Sequence, residues 1–532
     1  MRRMSLALPL LFLLAVGTAS AGPTVLSGPV SGIWLAGSVY MLTDYSYVPA
    51  GRSLLVQEGV QIIFLTDATF DIFGVFDALG TPTQPITVTA PDNWGGFFFT
   101  GDGVRTDTLR CVVAGQDGGL PRHVVRSEAR SLVISGCQFT ASHSCLEVSN
   151  AHLWADGNSF LTTALYSRTV TLQSLVPVSD FPPGTAPQNC LRNSIVAADV
   201  ASVWVSPFER RFTTALDVES SNTTVVRDNT FSVQAPGYAY GVYYGEAEGS
   251  SPVGATISHC VITARTFNVQ ARGVVNAHEG DLDVQLCTID VSGGPYAPVG
   301  VSASNRAQSY VNSSIIRLSA GSRFCLAEWG ATVTVMHADL WMAVAALCSP
   351  SDPPPLIDLK GEAETGVVYG DGIFYEDPQF VQGCEWGDWS SPEAVRLYYS
   401  LHATSPCIDR GDVALGLDPD NTRPDVGCFY YSQTSSSPDR PVAAAASMLL
   451  APFPNPFNSS AVIRFVLQRS GEVRVMAYDL LGRPVAQLAG GRYSPGDHVV
   501  LLDARGWATG LYFVTLDFEG LRAGTERLLL VR

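Results

Sequence analysis

Apolar and polar residues alternate along this chain in short runs rich in β-branched side chains, and no 3.6-residue period fills the gaps between the runs. That pattern predicts strands rather than helices. One six-residue phrase recurs: apolar, any, any, small or Asn, any, apolar. It spans Ile134 to Phe139, Ala155 to Phe160, Leu191 to Val196, Val226 to Phe231, Ile257 to Ile262, Val284 to Ile289 and Val311 to Ile316. Leu109 to Val113 leads the series and Val335 to Leu340 ends it. A second phrase, a small residue followed by an aliphatic one, accompanies most copies: Cys145-Leu146, Ala164-Leu165, Ala215-Leu216, Gly241-Val242, Gly273-Val274, Gly300-Val301 and Cys325-Leu326. Two unequal strand phrases per turn of roughly 27 residues suit an all-β fold, a right-handed parallel β-helix. A propeller blade needs four strands in about 40 to 50 residues and its own signature, and neither is visible.

In such a coil, equivalent residues of successive turns stack about 4.8 Å apart, so about thirteen coils make a rod of roughly 60 Å. Stacking predicts an internal ladder of small side chains at Cys111, Cys137, Asn158, Ser194, Asn229, Cys260, Cys287 and Ser314, bonding along the axis. The ladder cysteines read as small buried hydrophobes. Disulfides between adjacent coils, Cys111 with Cys137 and Cys260 with Cys287, are the alternative.

The first 21 residues carry Arg2 and Arg3, an apolar run from Leu6 to Val16 too short to span a bilayer, and small residues at Ala19 to Ala21. That is the form of a signal peptide. No later segment is long and apolar enough to cross a membrane. Of the 532 residues only 15% are charged, and 32 basic against 49 acidic residues give a net charge of −17. This balance excludes nucleic acid and an anionic membrane face as partners, since both need basic surface.

The entry and exit of the repeat array add further phrases. Val48–Gly51, Leu54–Val60, Ile62–Phe64, Phe70–Phe76, Leu79–Ile86 and Trp94–Phe97 precede the ladder, and Asp377–Phe380, Ser405–Gly411 and Asp418–Gly427 follow it. Across residues 25–431 these phrases resemble the secreted bacterial right-handed β-helix proteins of the pectate-lyase-like superfamily. The resemblance implies a β-helix over residues 22–431. It leaves function open, because that superfamily includes lyases, hydrolases, adhesins and inert stalks.

Residues 432–447 are a Ser/Pro- and Ala-rich linker by composition. Beyond them, Val462–Leu467, Glu472–Tyr478, His498–Leu502, Gly510–Leu516 and Arg527–Val531 alternate between Gly/Pro turns, which predicts a small Ig-like β-sandwich over 448–532. Pro454, Asn455, Pro456, Phe457 and Asn458, then Asp479, Gly482 and Arg483, then Gly510 and Tyr512 form phrases that resemble the type A sorting domain of type IX secretion cargo. That resemblance implies the type IX secretion machinery as a partner. It also implies release or attachment at the outer surface of a Gram-negative-type bacterium. The family often ends on lysines where this chain has arginines, which keeps the charge. An ordinary Ig-like stalk module would share the sandwich.

Candidate chemistry is sparse. A lyase base drawn from Arg192, Arg210, Arg211, Arg227, Arg265 or Arg272 would need a calcium-holding carboxylate cluster beside it, and none is legible. Phe70 to Gly74 echoes a pectin methylesterase motif with the order scrambled, and strand alternation alone accounts for it. Tyr238, Tyr240, Tyr243 and Tyr244, read as a long loop excursion, and Trp386 and Trp389 put flat rings beside acids, which suits sugar stacking or plain packing. Asp418, Asp420 and Asp425 are the one candidate calcium site, while Asx turns and an Asp–Arg423 pair would explain the same letters. Cys407 and Cys428 flank that loop as the favoured disulfide. The eight histidines show no i, i+4 or His-x-His spacing, so zinc is not indicated.

The expected protein is therefore a secreted or cell-surface scaffold that binds polysaccharide or a surface glycan without catalysis and requires no cofactor. A polysaccharide lyase or hydrolase with a groove on the middle coils, and a structural envelope component, are the alternatives. Arginines and carboxylates converging in one lateral cleft near residues 190–275 would favour the enzyme.

Overall fold

The computed structural model describes residues 22–531 except 92, 101–105, 116–119, 129, 175–188, 201–211, 221–223, 246–254, 278–279, 295, 320–322, 344–365, 382–391, 434–447, 454–456, 458–459, 468–469, 480–482, 494–495 and 520. The expected signal peptide and nearly all of the expected linker thus lie outside the described residues.

The solenoid is a parallel β-helix. Each coil runs through three strands, for example Ser131–Ser135, Gln138–Ala141 and Ser144–Ser149, and then passes to Leu153–Asp156 of the next coil. First strands pair only with first strands of neighbouring coils, building a thirteen-stranded parallel sheet. Second and third strands stack likewise, and the long strand Val39–Val48 joins their two files into one sheet of 23 strands. Inward residues such as Ile134, Phe139, Leu146, Phe160, Leu191 and Phe231 fill one continuous core.

The recurring six-residue phrase is not one strand but a corner between two. Its third residue takes a left-handed conformation at Gly136, Gly157, Asn193, Asp228, His259, Leu286, Ser313 and His337, with φ between 47° and 66°. Gly, Asn and Asp accept that geometry readily, whereas Leu286 holds it under stacking constraint from both sides. The corner turns the fourth residue inward, and there the ladder forms. Asn158 Oδ1 accepts from the Cys137 N–H at 2.9 Å and its Nδ2 donates to the Ile134 carbonyl at 3.1 Å. Asn229 does the same two turns further along the ladder, to the Ser194 N–H at 3.0 Å and the Leu191 carbonyl at 2.8 Å. Ser194 and Ser314 accept from the Asn158 and Cys287 amides.

Cys111 is a correction. The register pairs Arg110 with Ser135 and Val113 with Gln138, which puts Cys111 at the left-handed corner (φ 49°) and Val112 in the ladder file. Leu109 to Ala114 aligns without a gap on Ile134 to Phe139, so the cysteine is the third residue of its copy and not the fourth.

The second phrase also resolves. In the third-strand file a Cβ added at Gly241, Gly273 or Gly300 would meet the next coil's backbone carbonyl within 2.7 Å, so only a small residue fits. Ala164 departs from this reading: it lies in the turn before Arg168–Ser174.

Cys111, Cys137, Cys145, Cys260, Cys287, Cys407 and Cys428 are free thiols. The expected Cys407–Cys428 bridge is absent because the two thiols address different coils. Cys407 Sγ sits 3.4 Å from Asp339 Oδ2, while the Cys428 amide donates to Thr288 Oγ1 at 3.0 Å.

After the last coil the chain returns along the outside of the second-strand file. Residues Phe380, Val395, Tyr398, Tyr399, Leu401 and Val426 pack over Val261 and Ile315, and Tyr399 donates to Asp290 at 2.7 Å. The tail, Met448–Leu530, is an antiparallel sheet of three strands facing one of four, with Ile463, Phe465, Val475, Val514 and Leu516 between them.

Candidate functional site

The outward face of the third-strand file gathers charge. Strand Phe212–Ser220 sends Leu216 and Val218 into the core and turns Asp217 and Glu219 the other way. Parallel register aligns Thr171, Asp217 and Tyr243 in one outward file and Gln173 with Glu219 in the next. Arg168 Nη1 lies 2.9 Å from Asp217 Oδ2 and 2.8 Å from Glu219 Oε1. Gln173 Nε2 donates to the other Glu219 oxygen at 3.0 Å.

Asp217 is fully buried, and neither of its oxygens makes a hydrogen bond despite the ion contact. Burial disfavours its charge, Glu219 adds repulsion, and Arg168 only partly offsets both, so its pKa is pushed up to about 7. Burial and then the Asp217 charge push the Tyr243 phenol up to about 12.

The tyrosines are not on a loop: Tyr238–Tyr244 is a strand of the same file. Tyr244 points inward and is buried. Phe212 stacks on Tyr240 with centroids 4.9 Å apart and lies 4.7 Å from Tyr243. The Arg168 guanidinium covers Phe212 from the other side at 5.6 Å, and Arg272 sits 5.9 Å from the Tyr240 ring. Ring faces of Phe212 and Tyr240 are therefore occupied along the axis, and what they offer outward is edges and hydroxyls. Tyr238 stands 6.2 Å from Tyr240 at 60°. Trp386 and Trp389 lie outside the described residues.

Of the arginines singled out from the sequence, Arg272 reaches this face, over Tyr240, and the other described ones go elsewhere. Arg192 and Arg227 both reach Asp228 at the corner file, at 3.9 and 2.8 Å. Arg265 lies over Phe267, and Arg210 and Arg211 lie outside the described residues. Sequence reading missed Arg168, Asp217 and Glu219. The alternation Leu216, Asp217, Val218, Glu219 marked two outward acids, but Arg168 is joined to them only by a register that an excursion of unknown length hides.

Asp418, Asp420 and Asp425 are spent on folding the closing loop. Asp418 accepts from the Asp425 amide at 3.0 Å, and Asp420 accepts from Thr422 Oγ1 at 2.7 Å and the Gln433 amide at 2.9 Å. Asp425 accepts from the Asp409 and Tyr431 amides at 2.7 and 2.6 Å. Arg423 bonds the Gly411 carbonyl rather than an aspartate. Among the described residues no three His, Cys, Asp or Glu side chains are grouped to hold a metal ion, so these carboxylates do not form the expected cluster.

In the tail, Asp479 and Arg483 close a turn through a 2.6 Å ion pair. Tyr512 donates to the Ala508 carbonyl at 2.6 Å; Gly510 opens its strand, and Phe457 is buried against the last strand. Pro454, Asn455, Pro456, Asn458 and Gly482 lie outside the described residues. No described helix is long and apolar enough to cross a membrane.

No protein-family model matches the chain, and a search of curated proteins found no match. Among solved structures, one described as the crystal structure of pectate lyase Pel9A is similar to it. That match has 11% identity, covers 71% of this chain and 89% of the other, and has a TM-score of 0.26. A score that low carries no argument about activity, and the β-helix rests on the strand register itself.

Proposed function

We propose that this chain is an exported β-helix protein that binds polysaccharide along the outward face of its third-strand file, around Arg168, Gln173, Glu219 and Tyr243. The observation that carries this reading is the convergence there of one guanidinium, two carboxylates and a row of phenol edges. Of these, Arg168, Glu219 and the phenol edges can exchange hydrogen bonds with sugar hydroxyls, while buried Asp217 sets the position of Arg168 from beneath. A net charge of −17 favours a neutral polysaccharide over a polyuronate.

Convergence also meets the condition set above for an enzyme, and Asp217, with a pKa near 7, has the character of a general acid. Access and geometry favour binding. Asp217 is covered, and both carboxylates contact one nitrogen of Arg168 from the same strand. Glycoside hydrolysis needs two carboxyl groups flanking the scissile bond. Arg168, held charged between two acids, is a poor base for a lyase.

The tail and the N-terminal 21 residues support export through a type IX-like pathway, with the sandwich as the sorting element. In a bacterium that has that pathway, deletion of residues 448–532 is expected to leave the protein in the periplasm. Export of the shortened chain would refute the sorting role.

For the binding face, the purified protein should retain neutral polysaccharides in affinity electrophoresis, with retention lost in the Glu219→Ala and Arg168→Ala variants. Unsaturated or reducing-end products from any polysaccharide, with or without calcium, would replace the binding reading with the enzymatic one.

A further inference from the structure

The closing loop does not lie flush on the solenoid. Between it and the corner file is a cavity of about 640 Å³, within the range that small-ligand sites occupy. One wall is built from successive left-handed corners, Asn193, Asp228, His259 and Leu286, one from each of four adjacent coils. The opposite wall is the loop itself, with Leu417, Asp418, Phe429 and Tyr430, and Arg396 comes from the helix Pro392–Tyr399.

This lining is amphipathic and mostly committed. Asp228 is paired with Arg227 at 2.8 Å, Asp425 with two amides, and the Arg396 guanidinium lies 5.8 Å from the Phe429 ring. Two polar features remain open to an occupant. His259 Nδ1 is shielded from solvent and has no hydrogen-bond partner. Its imidazole is held below its usual pKa, first by burial, with Asp228 opposing and Arg227 adding to the effect, so it is neutral at pH 7. Asp418 receives one amide hydrogen bond, from Asp425, and burial followed by the Asp425 charge pushes its pKa up to about 6. A shielded imidazole nitrogen without a partner is costly, and a sugar hydroxyl, which both donates and accepts, can pair with it in either tautomer. Leu286, Leu417 and Phe429 offer an apolar surface for the C–H face of a sugar ring. Three aspartates against one arginine disfavour a uronate or a phosphate.

We propose that this cavity is a second binding site, for a short stretch of uncharged oligosaccharide, formed only where the closing loop folds back over the corner file. It is separate from the third-strand face, so the two readings fail independently.

The test is isothermal titration of the purified protein with three trisaccharides: cellotriose, tri-N-acetylchitotriose and trigalacturonate, with trilysine as a cationic control. One of the two uncharged sugars is expected to bind saturably and at least tenfold more tightly than trigalacturonate or trilysine. His259→Asn keeps a residue suited to the left-handed corner and is expected to weaken binding about tenfold. Leu417→Trp, at an exposed loop position, is expected to block the cavity. The titration is repeated in the Glu219→Ala background, which removes the contribution of the third-strand face; a saturable event should remain there and still be weakened by His259→Asn. Absence of saturable binding would overturn the proposal. Tighter binding of trigalacturonate or trilysine would also overturn it, as would loss of binding in Glu219→Ala with His259→Asn unaffected.

Discussion

Replacing Asn229 by Ala tests the physical core of this fold. Its side chain accepts from the Ser194 amide at 3.0 Å and donates to the Leu191 carbonyl at 2.8 Å, both in the preceding coil and all in a dry interior. Truncation leaves a buried N–H and a buried C=O without partners, each costing about 1–3 kcal/mol, so the loss is about 2–6 kcal/mol before any cavity is counted. Asn229→Ser separates the two bonds. Ser314 Oγ already accepts the Cys287 amide at the equivalent position, 3.1 Å away, so a serine at 229 restores the acceptor and not the donor. It should cost about half as much as alanine. A long solenoid need not unfold in one step, so the sharper assay is local hydrogen exchange at the Ser194 amide, read beside urea unfolding. Alanine should raise that exchange rate by about 30-fold or more, taking about 1.4 kcal/mol per factor of ten. Equal costs for serine and alanine would refute the acceptor argument. Unchanged Ser194 protection in the alanine variant would refute the ladder as a source of stability altogether.

Three further outcomes follow from the same coordinates. Arg130, 1% exposed, donates to Asp107 through Nε at 3.0 Å and to the Gly74 carbonyl at 2.7 Å. Arg130→Met should therefore cost about 3–5 kcal/mol in urea unfolding by stranding a buried carboxylate, and adding Asp107→Asn should recover part of it; a double variant no better than Arg130→Met alone would contradict this. Asp217, raised to about 7 when folded, binds its proton more tightly in the native state, so its contribution is full below pH 4 and is lost as pH rises to 7. Unfolding free energy of the native protein should fall relative to Asp217→Asn by up to about 1.4 kcal/mol per pH unit between pH 5 and 7. The histidines cancel in that difference, and parallel profiles would sink the claim. Gly273→Ala places a methyl 2.7 Å from the Gly300 carbonyl oxygen and against Ile289, and should lower stability by about 1–3 kcal/mol; a thermal midpoint equal to the native one would show that the third-strand file has slack.

The ladder was legible because its cause repeats. A corner that requires a left-handed residue and a small inward neighbour writes the same letters in every coil, and Cys137, Asn158, Ser194, Asn229, Cys260, Cys287 and Ser314 fall in one file as read. Cys111 failed for an equally physical reason: its copy, Leu109 to Ala114, carries Val112 in the file, and reading the cysteine there is a one-residue slip from corner to file. The number of strands per coil was misread because a corner of only two residues, as between Ser135 and Gln138, leaves no break in the alternation.

The outward clusters follow a different logic. A solenoid brings Arg168 beside Asp217 through register alone, 49 positions apart in the sequence, and the excursion between them sets that distance without leaving a periodic trace. The inward faces are constrained by stacking and announce themselves. The outward faces are free of that constraint, which is why they can carry specificity and why no recurring phrase points to them. The same reasoning separates Tyr244 from Tyr243: one residue apart on one strand, the first fills the core and the second belongs to the charged face, and only the pleat decides which. On the closing segment even that guide is missing. Asp418 and Asp425 read as calcium ligands from their spacing, yet three of their four oxygens go to the chain's own amides. The cavity beside them owes its polar character to a corner histidine 159 residues earlier.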